Sequence, residues 1–459
     1  MQNRQAVLTE AAQLHSFVET TTRLCSDLRD DYPVFAEASL RFFQYVQALG
    51  KSTQGYLQAF PATYLKSTDP RAARSKLQKL FSLKTGWEAL HAYIKPTLDA
   101  DSLHLPSSLI TALGDRVNSV SDWGDYRFVL FHTNEANYLQ IPSGMAREVA
   151  NDIADIVGFD RFDPNLGLVG VPYSQADSIF LNCVLPHEFA HFIYQEYSDD
   201  DVEDQIDSSI DAHLTLNSDD LAWCSDEIKS WVEETFCDLM AICMIGPAFS
   251  LSLVRLISAN AIVGRSDGEP SDAYAFKDGY PADVARLHYH RKLLEGLGWW
   301  PLVKEWRCAT IKALEKSTNW SEYITIEGSL PEGVKQDKLF EVYREVCDWL
   351  VTYCAKFFTD TAEQVAAYQL QAPEISQYLS RAIVPSTVLI AGEEVYPNPV
   401  TLLNAGLHFL LEELPELIQN IAGEDPESVE TQSRIGARVE LWILKAIEDN
   451  RLLARQETT

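Results

Sequence analysis

Leu185-Pro-His-Glu-Phe-Ala-His191 decides how this 459-residue chain is read. His187 and His191 are four positions apart, so on a helix they share one face on consecutive turns, where two imidazoles grip one zinc ion. Glu188 sits one residue round from His187, close enough to take a proton from a water on that metal. Val184, Leu185, Phe189, Phe192 and Ile193 surround the motif and predict that the helix is largely buried. Two His and a Glu in such a setting need a partner that offsets their desolvation, and a metal ion is one. Pro186 removes a helical hydrogen bond. Either a helix running from about Ser174 bends there, or a new helix starts near Leu185 with Pro at its first position. Both place His187 and His191 on one face.

Catalytic zinc takes three protein ligands and leaves its fourth position to water. Downstream, Trp231-Val-Glu-Glu-Thr-Phe-Cys-Asp238 reads as a helix carrying Glu234 and Asp238 at i, i+4. Glu234 would complete a His, His, Glu set, and Asp238, one turn on, would accept the N–H of a ligand imidazole and fix its tautomer. On these residues the chain resembles the gluzincin class of zinc metallopeptidases, in which a second helix supplies a Glu ligand within an E-x-x-x-D pattern. The resemblance implies His187, His191 and Glu234 as zinc ligands, Glu188 as general base and Asp238 behind a ligand. It rests on residues 187–238 alone.

Other zincin patterns fit less well. A metzincin extension needs glycine at position 194 and histidine at 197, where the chain has Tyr194 and Tyr197, and the inverted H-x-x-E-H order is absent. Glu233 rivals Glu234 as third ligand, but it lies about 100° round the helix and has no acidic residue four positions on. His213 ranks last, since Asp211-Ala-His-Leu-Thr-Leu216 reads as an ordinary passage between elements.

Attack on a peptide carbonyl creates an oxyanion that needs a cation or hydrogen-bond donor beside the metal. Gly279-Tyr-Pro-Ala-Asp-Val-Ala-Arg-Leu-His-Tyr-His-Arg291 is the segment expected to supply it. Pro281 suits the first turn of a helix, on which Arg286 and His290 share a face while His288 points elsewhere. The order of expectation is Arg286, His290, Tyr280, His288.

A net charge of −30 excludes nucleic acid and anionic membranes as partners, because both select basic surfaces. With 46% hydrophobic and 23% charged residues the chain reads as soluble and globular. No apolar run approaches membrane-spanning length; Val400–Ile421 is interrupted by Glu412, Glu413 and Glu416. The N-terminus lacks an apolar signal core and the 8 Cys fit no zinc spacing, so reduced thiols and a cytoplasmic location are expected. Cys183 and Cys237 adjoin the metal helices and read as small core residues, with a ligand role as the alternative.

The fold expected is α+β and predominantly helical: a zincin-like core, a small sheet plus metal-binding helices, embedded in helical N- and C-terminal regions. Three parts follow: a helical region over 1–115, a catalytic core over 116–300, and a helical region over 301–459. Strands are expected at Tyr126–His132, Asn137–Ile141 and Gly167–Tyr173, with a helix over Ala146–Val157. Leu168–Tyr173 is the candidate edge strand for holding substrate backbone. Asp199–Asp207 lacks the glycine and closing Glu of a calcium loop and reads as a solvated loop. Punctuation at 264–281 and 391–399 predicts loops. The function these features imply is zinc-dependent peptide hydrolysis, with a peptide or protein as substrate and a deep cleft or a regulatory protein partner restraining it. The alternatives are a zinc-binding scaffold without activity and a hydrolase acting on non-peptide amides.

Overall fold

The computed structural model describes residues 2–31, 37–67, 69–99, 107–119, 126–133, 139–141, 145–162, 165–172, 178–195, 199–214, 218–256, 272–277, 279–322, 324–327, 330, 334–422 and 425–457. Helix predominates, as the apolar periodicity predicts. Two compact units make up the chain. One comprises 1–107 and 124–177, the other 108–123 and 178–459. The strand-bearing segment therefore groups with the N-terminal helices and not with the motif helix.

In the first unit three long helices, α1 (Gln2–Asp31), α2 (Glu37–Leu65) and α3 (Pro70–Asp99), pack on one another. Their apolar stripes meet in a core that includes Val18, Val46, Leu49, Trp87 and Leu90, all buried. After α4 (Ser107–Asn118), which belongs to the second unit, come β1 (Tyr126–Thr133), β2 (Leu139–Ile141), α5 (Met145–Val157) and β3 (Asn165–Pro172). Helix α5 packs on α2 and α3 and adds Ile153 and Ala154 to the same core. The sheet order is β1-β3-β2. β3 runs parallel to β1, with Tyr126 opposite Asn165 and Thr133 opposite Pro172, and antiparallel to β2, with Leu139 opposite Gly170. This corrects the expected edge: Leu168–Pro172 lies in the central strand, and Tyr173 falls outside the described residues. Leu168 and Val169 are consecutive and both buried, so both faces of the strand are covered.

The second unit is built around α8 (Ser218–Ile245), preceded by α6 (Leu185–Ile193) and α7 (Asp199–His213) and followed by α9 (Pro247–Leu256). From Trp231 to Ile245 every α8 residue except Glu233 and Glu234 is buried, which makes it the central helix of this unit. Against it pack α6, α10 (Asp283–Gly296) and, after the short α11 (Trp300–Val303) and α12 (Ala309–Lys316), α13 (Gln336–Ala355). A two-stranded parallel pair, β4 (Ala275–Phe276) with β5 (Thr325–Ile326), lies among these elements. Helices α14 (Thr361–Ser380), α15 (Pro399–His408), α16 (Leu414–Ala422) and α17 (Val429–Glu457) complete the unit.

Two expected loops are ordered elements. The acidic run opens α7: Val202, Ile206 and Ile210 are buried at four-residue spacing, the described acids occupy the other faces, and Asp200 and Asp201 lie at the favourable positive end of the helix dipole. The 391–399 stretch contains the turn of a hairpin between β6 (Val388–Ile390) and β7 (Glu393–Val395). Ala391 and Gly392, at φ 52° and 90°, are both left-handed, the backbone a two-residue hairpin turn requires. The loop expected at 264–281 lies outside the described residues up to 271. Among the described residues no helix is long and apolar enough to cross a membrane.

Candidate metal centre

A single 3-10 turn, Leu181–Val184, precedes α6, and the helix proper begins at Leu185 with Pro186 in its first turn, where no backbone N–H is needed. Of the two readings of Pro186, the new start is the one found. Apolar residues on nearly every side of α6 are buried, so its polar motif residues are delivered into the interior next to α8.

His187 Nε2 stands 3.4 Å from Glu234 Oε2, and His191 Nε2 stands 3.6 Å from Glu234 Oε1. Both separations exceed an ordinary hydrogen bond. Each has the length of a zinc tetrahedron's edge, roughly 3.3–3.6 Å for bonds of about 2.0–2.2 Å, and the two end on different oxygens of the one carboxylate. Ligand atoms of His187, His191 and Glu234 all lie within 4.8 Å of one another, the one such group of three or more metal-binding side chains among the described residues. Two neutral nitrogens and one carboxylate are the donor set zinc favours, so these residues fit the ion.

Each imidazole is turned by a carboxylate on its other nitrogen. His187 Nδ1 donates to Asp238 Oδ1 at 2.8 Å, and His191 Nδ1 donates to Glu233 Oε1 at 2.9 Å. As the histidine number rises by one turn the α8 partner falls, so α6 and α8 run antiparallel here. Both bonds leave Nε2 free to face the would-be ion. The structure thus brings Glu234 to the ligand position and Asp238 behind His187. Glu233, weighed from sequence only as a rival ligand, sits behind His191. The signal that could have found it is simple: two ligand His need two orienting carboxylates, and 233 and 238 are the acids left on that helix segment.

Arg286 and His290 do reach the centre from α10, but both are committed to Asp238. Arg286 donates from Nε to Oδ2 at 2.7 Å and from Nη2 to Oδ1 at 2.8 Å, and its Nη2 lies 3.8 Å from Glu234 Oε2. His290 Nε2 donates to Oδ2 at 2.9 Å. Both side chains are buried. Pro281 stands just before the N-cap, Ala282, not inside the helix. His288 packs on Tyr289 and Trp320 instead. His213, at the end of α7, pairs with Glu341 and Glu345 of α13, away from the ligand set. Cys183 and Cys237 are buried and outside any disulfide; burial, then the neighbouring Glu233, Glu234 and Asp238 charges, push Cys237 well up and keep it protonated.

Tyr280 is the remaining member of the group, and it is half exposed. Its segment is pinned: Lys277 and Tyr280 exchange backbone hydrogen bonds around a turn in which Gly279 has φ 74°, and Trp231 Nε1 donates to the Lys277 carbonyl at 3.0 Å. The negative charge of Glu234, then burial and Glu188, raise the phenol pKa, while Arg286 opposes. Its hydroxyl therefore lies in the field of the site's carboxylates.

The charges behave as a coupled set. Burial disfavours the His187 cation, yet the Asp238 and Glu234 carboxylates outweigh it and push the pKa up to about 10. Burial raises Glu234 and Asp238 too, but the surrounding charges and donors win: His187 and Arg286 hold Glu234 below its usual range, and the Arg286 charge, with the hydrogen bonds that Arg286 and His187 donate, holds Asp238 far below. Glu188 moves the other way. Burial lifts it, Glu234 adds to the lift, and His187, His191 and Arg286 only partly offset this. Glu188 makes neither a hydrogen bond nor an ion pair with any described residue, so it alone of the site's carboxylates is uncommitted. No family model, curated protein or solved structure matches the chain.

Proposed function

We propose that the second unit is a zinc-dependent peptide hydrolase with a zincin-like centre. The observation that carries this reading is the division of labour among the acids: Glu234 faces both Nε2 atoms, Asp238 and Glu233 each hold one imidazole, and Glu188 is left free. A structural site has no use for an uncommitted carboxylate beside a three-ligand set, whereas a hydrolytic one needs it as a base.

His187, His191 and Glu234 would hold the ion. When bound there, zinc supplies Lewis acidity, polarising the scissile carbonyl and bringing the pKa of a water toward neutrality. Glu188 takes the proton of the attacking water on its carboxylate and delivers it to the leaving amine; the rise in pKa that burial gives it favours holding that proton between the two steps. Tyr280, solvent-accessible and close to the charges of Glu234 and Glu188, donates its hydroxyl hydrogen to the carbonyl oxygen as negative charge develops there. Arg286 and His290 are already spent on Asp238 and act from behind it.

Zinc content and peptide-library cleavage, measured on wild type and Glu188→Gln, test the reading. One zinc in both with cleavage only by wild type supports it. Zinc in both without cleavage favours a binding scaffold, zinc with cleavage only of non-peptide amides favours the other hydrolase, and absence of zinc from both overturns a metal site.

A further inference from the structure

Asp238 is fully buried and its two oxygens offer about four acceptor positions. All four are used. Oδ1 accepts from His187 Nδ1 and Arg286 Nη2, and Oδ2 accepts from Arg286 Nε and His290 Nε2, every contact between 2.7 and 2.9 Å. Arg286 is shared, since its Nη2 is also drawn toward Glu234 at 3.8 Å. His290 is not. A second route joins His290 to the same ligand: its ring lies 5.4 Å from that of Phe249, and Phe249 stacks nearly parallel to His187, 5° off at 6.2 Å. Hydrogen bond and aromatic contact therefore converge on His187 from one side chain.

We infer that His290 is a positioning residue: through Asp238 and Phe249 it fixes the orientation in which His187 presents Nε2 toward Glu234. The choice of residue type follows from charge. The ionised Asp238 only accepts, so His290 Nε2 carries the proton, and its Nδ1 is buried with no partner among the described residues. A proton on Nδ1 would be an unsatisfied buried donor, so the ring is neutral, in keeping with burial holding its pKa below the usual value. His290 thus gives Asp238 a rigid donor without placing a second cation beside Arg286, where it would repel a bound dication. The effect on zinc rests on the function proposed above; the effect on His187 does not.

The test compares His290→Leu, which removes the donor, with His290→Gln, whose amide N–H reaches about as far as Nε2. The histidine-labelled chain is followed by nitrogen NMR without metal, reading the His187 Nδ1–H signal, and zinc affinity is measured by chelator competition. The Leu variant is expected to lose or broaden that signal and to bind zinc about 10- to 100-fold more weakly, with Gln restoring both. A folded Leu variant that keeps the signal overturns the inference, and so does a Gln variant as impaired as Leu. Should the Leu chain not fold, the Gln chain decides alone: signal kept upholds it, signal lost refutes it. A wild type that binds no zinc would remove the proposed function, while the metal-free His187 signal would still judge this role.

Discussion

Asp238→Asn is the most demanding perturbation of this centre, because shape is kept and only charge and one acceptor are lost. In the wild type a fully buried carboxylate satisfies a buried guanidinium and two imidazoles. The Asn amide nitrogen would point an N–H at donors already aimed there, and Arg286 would remain buried, its closest carboxylate contact replaced by the longer one to Glu234 at 3.8 Å. Breaking a buried pair from one side costs about 3–5 kcal/mol. Against a net stability of about 5–15 kcal/mol for a domain this is a large share. With a urea slope of about 1–3 kcal/mol/M, the metal-free variant should unfold roughly 1–5 M earlier. Zinc affinity should fall about 10- to 100-fold as His187 loses its orienting acceptor. Urea titration of chelator-treated protein by helix circular dichroism reads the first effect and chelator competition the second. The stability gap should also narrow in acid. Asp238 has a folded pKa far below its ordinary 3.8, so its contribution is complete above that value and is lost as pH falls below it. An Asn variant with wild-type midpoint and wild-type zinc affinity would refute the idea that Asp238 is the hub of the centre.

Three further outcomes separate the roles assigned here. Glu234→Gln should abolish stoichiometric zinc, whereas Glu233→Gln should retain it with affinity reduced about 10-fold or somewhat more; equal losses would mean the two acids were misassigned. Zinc affinity should rise with pH from 6 to 8, approaching tenfold per unit, because His187 keeps a proton up to about 10 in the metal-free chain and zinc must displace it. The same shift means that His187 stabilises the metal-free fold fully below about 6.5 and loses that contribution as pH rises toward about 10, which thermal melts with chelator across that window would show. Tyr280→Phe should lower kcat about 10²- to 10³-fold on any cleaved peptide and leave zinc affinity unchanged; an unaltered kcat would remove Tyr280 from the reaction.

That His187 and His191 share one face, and Glu234 and Asp238 another, was legible in the sequence because helical periodicity is local: four-residue spacing fixes who shares a face without knowledge of the rest of the fold. What Arg286 and His290 point at was not legible. Their i, i+4 relation predicts a common face, but whether that face meets substrate or the back of Asp238 depends on how α10 lies against α8. The strands show the same boundary. Their positions were visible from β-branched and aromatic runs, yet assigning β3 to the centre of its sheet requires the pairing with β1 and β2, and its grouping with α1–α3 requires the packing of distant apolar stripes. In α7 the stripe Val202, Ile206, Ile210 was present in the sequence, and the density of aspartate around it drew the reading toward a loop.

Helix α8 carries Trp231, Glu233, Glu234 and Asp238 within two turns, and through Trp231 it also anchors the turn that bears Tyr280. Ligand, both orienting acids and the tether of the tyrosine are thus cut into one rigid rod. A one-residue deletion between 231 and 238 would rotate everything beyond it by about 100°. No single role could be retuned by such a change, because the phase of the rod would be lost for all of them together. Substitutions can adjust this centre by degrees, but length changes in α8 should be all-or-none.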